Sequence, residues 1–281
     1  MFIQPMLAAP MPKKPLNLFS GEWVAEEKFD GHRMLIYQTP RGLTAWSRLG
    51  NVRELPAHLK QGLAGLPLGI YDGELLVPGK RSYNVTDLDE LRDLTFVAFD
   101  LLHMGDYAGG EPNLIKRRYY ERANLLSEFT AIPPSEMCYT HSGHPALRAA
   151  DINQVDSTET LTKLLSSVWQ RDGEGLILKR LNAAYEPGKR PKLAWIKMKN
   201  LQSAVLEMIG YQAGKLGPHA TQMLRDDDGN VTTVKWKNMD LLSQFNANPL
   251  SFIGRKVRIE FQERTPDGNY RHPRWDRFED E

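Results

Sequence analysis

A lysine beside an Asp-Gly pair is the side chain of this sequence best suited to act as a nucleophile. Lys28 lies in the stretch Glu26-Glu27-Lys28-Phe29-Asp30-Gly31-His32-Arg33, between two apolar runs typical of β-strands. A free lysine has a pKa of ~10.4, so a nucleophilic amine needs a dry pocket or neighbouring cations. A lysine at the edge of a buried sheet has such surroundings. The alternative is that Asp30-Gly31 is a hairpin turn with charged flanks.

Two carboxylates at the starts of predicted strands could hold a divalent metal. Glu74 lies in Asp72-Gly73-Glu74-Leu75, and Glu174 lies in Glu174-Gly175-Leu176-Ile177-Leu178-Lys179. Cations such as Mg²⁺ take oxygen ligands and bridge nucleotide phosphates. Either residue could instead be structural, with Glu74 flanking a turn and Glu174 ending a helix in solvent.

An aromatic strand and an alternating lysine strand could bind the other parts of a nucleotide. Phe99 lies in the apolar run Phe96 to Leu102, and an aromatic ring can stack on a base. Lys197 and Lys199 alternate with apolar residues, so both point to one face of a strand and could hold phosphate oxygens. The alternatives are that Phe99 belongs to the core and that the lysines form the wet face of an edge strand.

Taken in order, these stretches resemble the motifs of the covalent nucleotidyltransferase superfamily, and the chain resembles a compact, bacteriophage-type ATP-dependent DNA ligase. The family's Lys-x-Asp-Gly-x-Arg motif is matched by residues 28–33, and Ser47-Arg48 is similar to the motif that follows it. The stretches around Glu74, Phe99, Glu174 and Lys197 resemble the later motifs and keep the family's order over residues 28–199. Residues 265–273 are similar to the end of the small bacteriophage ligases.

The resemblance implies a reaction in three steps. Lys28 would attack the α-phosphate of ATP, forming a lysine–AMP phosphoramidate and releasing pyrophosphate. AMP would then pass to the 5′-phosphate of a nick in duplex DNA, and the neighbouring 3′-OH would displace it, with Asp30 assisting that last step.

The resemblance also implies binding roles for the other candidate residues. These are Glu26 at the adenine amino group, Phe99 stacked on adenine, Arg33 and Arg48 at the nucleotide and nick phosphates, Glu74 at the ribose and, with Glu174, at Mg²⁺ or Mn²⁺, and Lys197 and Lys199 at the α-phosphate. Arg277 is our choice for the last, basic motif, which orients the pyrophosphate, and Arg274 is the alternative.

The predicted fold class is α+β. The resemblance implies a nucleotidyltransferase (adenylation) domain of antiparallel sheets with flanking helices over residues 1–200. The short strands and turns that follow predict a small all-β OB-fold domain over residues 201–281. Proline-rich residues 1–20 predict an extended arm lying on the body. Helices are predicted over residues 54–64, 86–94, 114–129, 157–170 and 240–245, and strands over three segments of 22–50 and over 68–71, 74–77, 95–102, 176–179, 195–198, 205–211, 231–236 and 256–261.

Composition limits the class of protein. The 281 residues are 25% charged and 41% hydrophobic, as in globular proteins, with no apolar run of membrane-spanning length and no signal-peptide pattern. The single cysteine, Cys138, excludes an internal disulfide and a cysteine-based zinc cluster. The net charge of +1 requires a DNA binder to segregate its basic residues onto one face.

We therefore expect a monomeric cytoplasmic enzyme (in the host cytoplasm if phage-encoded) that does not bind membranes and serves DNA replication, repair or recombination. An RNA ligase or a GTP-dependent mRNA-capping nucleotidyltransferase would use the same lysine chemistry. A non-catalytic DNA-binding protein would share the OB-fold but would never become adenylated.

Overall fold

A computed structural model describes most of the chain as two compact units, Met1–Met198 and Lys199–Glu281. The described residues are 1–12, 14, 16–80, 91–131, 137–171, 173–199, 202–214, 217–236, 239–265 and 267–279. Most of the helix predicted over 86–94 therefore lies outside the described residues.

The described residues of the first unit form two β-sheets. The five-stranded sheet consists, in spatial order, of β1 (Ala9–Pro10), β11 (Trp195–Lys199, whose last residue begins the second unit), β10 (Gly175–Arg180), β2 (Trp23–Glu27) and β9 (Asn153–Gln154). The six-stranded sheet consists of β5 (Val52–Arg53), β4 (Gly42–Ser47), β3 (His32–Thr39), β6 (Gly69–Leu76), β7 (Thr95–Met104) and β8 (Leu147–Ala149).

The segment around Lys28 connects the two sheets. The three strands predicted over residues 22–50 are confirmed as β2, β3 and β4. However, β2 pairs with β10 and β9, whereas β3 pairs with β4 and β6. Asp30-Gly31 is therefore no hairpin turn, because the chain passes from one sheet to the other at residues 28–31.

The sequence predicts two strands, 68–71 and 74–77, separated at Asp72-Gly73. The prediction of this break is wrong. Strand β6 runs without interruption through both residues and pairs with β3 on one side and β7 on the other. A Cβ at Gly73 would overlap the Phe96 ring and the Val97 carbonyl oxygen. Glycine is therefore present here because β7 approaches closely, and not because the chain turns.

In the described part of the first unit, three helices flank the sheets: α1 (Ala57–Ala64), α2 (Tyr119–Thr130) and α3 (Thr158–Gln170). Ser157 caps α3 by accepting a hydrogen bond of 3.1 Å from the Thr160 backbone N–H, as the sequence predicts. The start predicted for α2 at Leu114 is five residues too early. The helix begins where the Glu121 side chain accepts a hydrogen bond of 2.9 Å from the Arg118 backbone N–H.

Apolar residues fill three layers of this unit. Leu35 and Ile70 of the six-stranded sheet share a cluster with Trp195 of the five-stranded sheet, so this cluster lies between the sheets. The opposite face of the six-stranded sheet packs on α1 and α2 through residues such as Leu59 and Leu126. The opposite face of the five-stranded sheet packs on α3. The site residues therefore project from a scaffold that is packed on both sides.

The N-terminal arm, residues 1–10, joins the layer between the sheets. The Ile3 N–H donates to the Tyr37 hydroxyl and the Met6 N–H donates to the Tyr185 hydroxyl, both at 2.9 Å. Strand β1 then pairs in parallel with β11. The extended arm predicted from the prolines is confirmed over these residues.

The second unit is built on a five-stranded antiparallel sheet. Its strands, in spatial order, are β14 (Val231–Lys235), β13 (Gly217–Arg225), β12 (Gln202–Gly214), β15 (Lys256–Phe261) and β18 (Arg274–Phe278). A two-stranded ribbon, β16 (Glu263–Arg264) and β17 (Tyr270–Arg271), the helix α4 (Met239–Ala247) and a 3₁₀ turn (Pro249–Phe252) complete it. Aromatic residues including Phe245, Phe252 and Phe278 form its core.

The predicted α+β class, with antiparallel sheets, flanking helices and a small second unit, is confirmed. Strand β13 was not predicted, because its sequence is largely polar and lacks clear alternation. No helix in the described part of the chain has the length and apolar character needed to cross a membrane.

Candidate active site

Lys28 and Glu174 meet where β2 and β10 begin to pair. The Lys28 backbone N–H donates to the Gly175 carbonyl oxygen at 2.9 Å, which aligns the two segments. The Lys28 Nζ then forms a short ion pair with Glu174 Oε2. Both side chains are largely shielded, with 21% and 12% of their surfaces exposed. Glu174 is therefore not a solvated helix end, and it is the direct partner of the predicted nucleophile.

Glu74 is the second carboxylate within electrostatic reach of Lys28. It lies inside β6, where it pairs in register with Arg33 of β3. Burial raises the pKa of Glu74 to about 7, although the charges of Arg33 and Lys28 oppose that shift. Glu74 is thus a half-buried carboxylate on the cavity wall whose charge depends on its surroundings, and it does not flank a turn.

Arg33 is fixed by Asp72. The guanidinium donates from Nε and Nη2 to the two carboxylate oxygens at 2.5 Å each, and the Tyr185 hydroxyl donates to Asp72 Oδ2 at 2.7 Å. Burial alone would lower the pKa of Arg33, but the charge and hydrogen bonds of Asp72 outweigh it and raise that pKa. The charged guanidinium carbon lies 4.5 Å from the centre of the Phe99 ring. Arg33 is therefore held beside the predicted base-stacking residue.

Glu26 belongs to a buried polar cluster. Lys179 Nζ lies 2.8 Å from Glu26 Oε2, and the Tyr119 hydroxyl donates a short hydrogen bond to Glu26 Oε1. Burial raises the pKa of Glu26 and lowers that of Lys179, while their mutual attraction opposes both shifts. The cluster therefore holds the Glu26 carboxylate in one orientation.

Lys179 also links this cluster to Phe99. Its Nζ donates to the Phe99 carbonyl oxygen at 2.7 Å and lies 4.8 Å from the centre of the Phe99 ring. No role was predicted for Lys179, although it ends the stretch Glu174 to Lys179. Tyr119 and Tyr185 were also missed, because nothing in their local sequence distinguishes them from other aromatic residues of the core.

A cavity of about 1180 Å³ opens beside Lys28. Of the predicted site residues, its lining contains Lys28, Asp30, Arg33, Arg48 and Glu74. A smaller cavity of about 490 Å³ is lined by Lys28, Asp30 and Glu174. The structure thus brings the first-motif residues together with both carboxylates, and they border space large enough for a nucleotide.

The donor set near Lys28 suits a hard divalent cation. The described residues contain no group of three His, Cys, Asp or Glu side chains that could hold a metal. Mg²⁺ commonly uses only one or two protein carboxylates, together with water and substrate phosphates. Glu74 and Glu174, which both act on Lys28, fit that requirement.

The other predicted residues lie on β11 and β18. Lys197 pairs in register with Pro10 of the arm, and Lys199 ends β11. Arg277 lies on β18, where Nη1 is 3.4 Å from Asp276 Oδ2 and Nε is 3.7 Å from Glu279 Oε1. Their roles at the phosphates stay predictions.

Comparison with known sequences finds similarity to DNA ligases. The family model described as ATP dependent DNA ligase domain matches residues 69–199. A DNA ligase of Thermococcus fumicolans is 28% identical over 235 residues, which cover 76% of this chain and 39% of that protein. DNA ligase C1 of Mycolicibacterium smegmatis is 27% identical over 260 residues, covering 83% of this chain and 67% of that protein. This chain therefore matches about two fifths of the Thermococcus protein's length.

Comparison with solved structures agrees in fold. A structure from a study of DNA binding by Lig E DNA ligases with a minimal scaffold has a TM-score of 0.72 at 21% identity and covers 99% of this chain and 100% of that one. The ligase domain of Mycobacterium tuberculosis LigD has a TM-score of 0.52 at 19% identity and covers 98% and 94%. At these identities the similarity is one of fold.

Proposed function

We propose that this chain contains an ATP-dependent DNA ligase domain and that it seals nicks in duplex DNA through a lysine–AMP intermediate. The observation that carries the proposal is the placement of Lys28. Its amine borders the 1180 Å³ cavity, is paired with Glu174, and lies within electrostatic reach of Glu74. We assign residues 1–200 to the adenylation domain and residues 201–281 to the OB-fold domain.

In the first step the Lys28 amine attacks the α-phosphorus of ATP. A nitrogen–phosphorus bond forms, the bond to the pyrophosphate oxygen breaks, and the amine loses a proton. Glu174 must release the amine before attack, and its carboxylate is the nearest acceptor for that proton. Because phosphoryl transfer depends mainly on positioning and charge neutralisation, Lys197, Lys199 and Arg277 would act on the phosphates.

Nucleotide recognition would use the buried cluster around Glu26. The Glu26 carboxylate, held by Lys179 and Tyr119, can accept a hydrogen bond from the amino group of adenine. Phe99 would stack on the base, and Glu74 would contact the ribose. A bound Mg²⁺ or Mn²⁺, held by Glu74 and Glu174, would supply further positive charge at the phosphates.

The later steps require DNA at the same cavity. The 5′-phosphate of the nick would attack lysine–AMP, which restores the free amine, and the 3′-OH would then displace AMP. Arg48 lines the cavity and would hold the nick phosphates, with Asp30 assisting the last displacement. Arg33, oriented by Asp72, would support the nucleotide. The relatives named for non-homologous end joining DNA repair favour repair as the process served.

The test is covalent labelling. With ATP labelled at the α-phosphate and Mg²⁺, we expect one AMP on Lys28 and loss of labelling in Lys28→Ala and Lys28→Arg. The control is Lys163→Ala, because Lys163 is an exposed lysine on α3. Nicked duplex should then discharge the label and become sealed.

Other results would redirect the assignment. Labelling by GTP and not ATP would indicate a capping nucleotidyltransferase, and sealing of nicked RNA alone would indicate an RNA ligase. Undiminished labelling of Lys28→Ala would contradict the proposed nucleophile.

A further inference from the structure

The turn between β4 and β5 presents an apolar residue at the rim of the Lys28 cavity. Leu49 is 83% exposed, and Val52 beside it is 58% exposed. Leu49 lines the same cavity as Lys28 and Asp30. Tight turns normally carry glycine, asparagine, aspartate, serine or proline, so a leucine at this position is not explained by turn chemistry.

The turn is rigidly held. The Ser47 N–H donates to the Asn51 carbonyl oxygen at 2.8 Å, and the Gly50 N–H donates to the Ser47 carbonyl oxygen at 2.9 Å. The Asn51 N–H donates in addition to Ser47 Oγ at 3.2 Å. The exposure of Leu49 is therefore a property of an ordered turn.

Phe2 of the N-terminal arm packs against the turn. Gly50 has φ +82°, and a Cβ there would lie 3.0 Å from Phe2 Cδ1. The Phe2 ring in turn packs on Trp46 of β4, with 5.7 Å between ring centres. The arm therefore packs against the turn at Gly50, whereas Leu49 stays exposed.

Arginine side chains line the same cavity as Leu49. Arg48 and Arg53 are exposed, one on each side of the turn, and both line the cavity together with Arg92. Arginines that flank an exposed apolar side chain match a DNA minor groove, because the guanidinium groups contact phosphates while the apolar group packs on sugars and base edges.

We propose that Leu49 is a DNA-contacting residue that packs in the minor groove of the duplex beside the nick, while Arg48 and Arg53 hold the flanking phosphates. This inference rests on the proposed function, since it concerns the duplex whose 5′-phosphate would enter the cavity. The contact would position the nick and would take no part in bond making.

The experiment compares binding and adenylation in matched variants. Leu49→Ala should weaken binding to a nicked duplex by a factor of about five or more, and Leu49→Met should restore it, because methionine keeps the apolar surface. The rate of lysine–AMP formation without DNA should change by a smaller factor than the duplex Kd. The control is Leu250→Ala, since Leu250 is 80% exposed in the second unit.

Salt dependence separates the apolar contact from the phosphate contacts. The slope of log affinity against log salt should be unchanged in Leu49→Ala and reduced by about one in Arg53→Ala. A duplex Kd for Leu49→Ala within twofold of that of Leu250→Ala would overturn the inference. Loss of self-association without a change in duplex Kd would also overturn it, because the occupant would then be a second copy of the chain. Failure of the unaltered protein to form lysine–AMP would instead overturn the proposed function.

Discussion

At the scale of single residues, Glu74 couples the site to pH. Its pKa is raised from 4.5 to about 7 by burial, so the folded protein holds a proton that the unfolded chain has lost between these values. The contribution of Glu74 to the free energy of unfolding should therefore fall as pH rises through this window, by at most roughly 3 kcal/mol.

Glu74→Gln should remove this dependence. The free energy of unfolding of the variant minus that of the unaltered protein should rise by about 2 kcal/mol from pH 5 to pH 8. Urea denaturation without divalent metal measures both values. Glu54→Gln is the control, because it makes the same substitution at a largely exposed glutamate. Parallel pH profiles for Glu74→Gln and the unaltered protein would show that the raised pKa is wrong.

At the same scale, the sequence predicts which side chains are present in the site but not which of them pair. Lys28 and Glu174 were both identified, yet their ion pair joins residues 146 positions apart and depends on how β2 and β10 align. The hydroxyl of Tyr119 completes the Glu26 cluster from 93 positions away. Such contacts leave no local periodicity in the sequence, because they form only when separate elements pack.

At the scale of elements, the two Asp-Gly pairs show which features of strands and turns the sequence could not predict. Asp72-Gly73 and Asp30-Gly31 both have the composition of a hairpin turn. The first lies inside a continuous strand and the second connects two sheets, and in each case glycine is required by close backbone approach. The apolar alternation of β3 and the Leu59 and Leu63 spacing of α1 were predictable, because burial on one face fixes them locally.

Gly31→Ala tests the crossing between the sheets. A Cβ at this position would overlap the Leu75 carbonyl oxygen and lie 3.0 Å from Leu76 Cβ. We expect a loss of about 1–3 kcal/mol in unfolding free energy, together with slower lysine–AMP formation, because Lys28 lies three residues away.

Gly65→Ala is the matched control. Gly65 follows α1 with φ −78° and has no atom within 4 Å of an added Cβ. Alanine there should be neutral or stabilise by about 0.5 kcal/mol. Equal urea midpoints for the two variants would show that Gly31 is not sterically required.

At the scale of the whole molecule, each unit has its own apolar core. A chain limited to residues 1–198 should therefore unfold in one cooperative transition, measured by circular dichroism. If residues 199–281 supply Arg277 and Lys199 to the phosphates, this shortened chain should form lysine–AMP at least about 100-fold more slowly, as when transition-state charge stabilisation is removed. Undiminished labelling of a folded 1–198 chain would contradict a role for the second unit in the first step.

The N-terminal arm also has a consequence for biosynthesis. The Met6 N–H cannot form its hydrogen bond until Tyr185, 179 residues later, has been synthesised, and β1 cannot pair until β11 has been synthesised. A ribosome adds roughly 5–20 residues per second, so Met6 and β1 stay without these two partners for roughly ten seconds or more after they emerge. The layer between the two sheets can close only once residue 196 has left the exit tunnel. A nascent chain that stalls earlier would expose Met6 and Ile3 to chaperones, and translation speed before β11 should therefore influence the yield of folded protein.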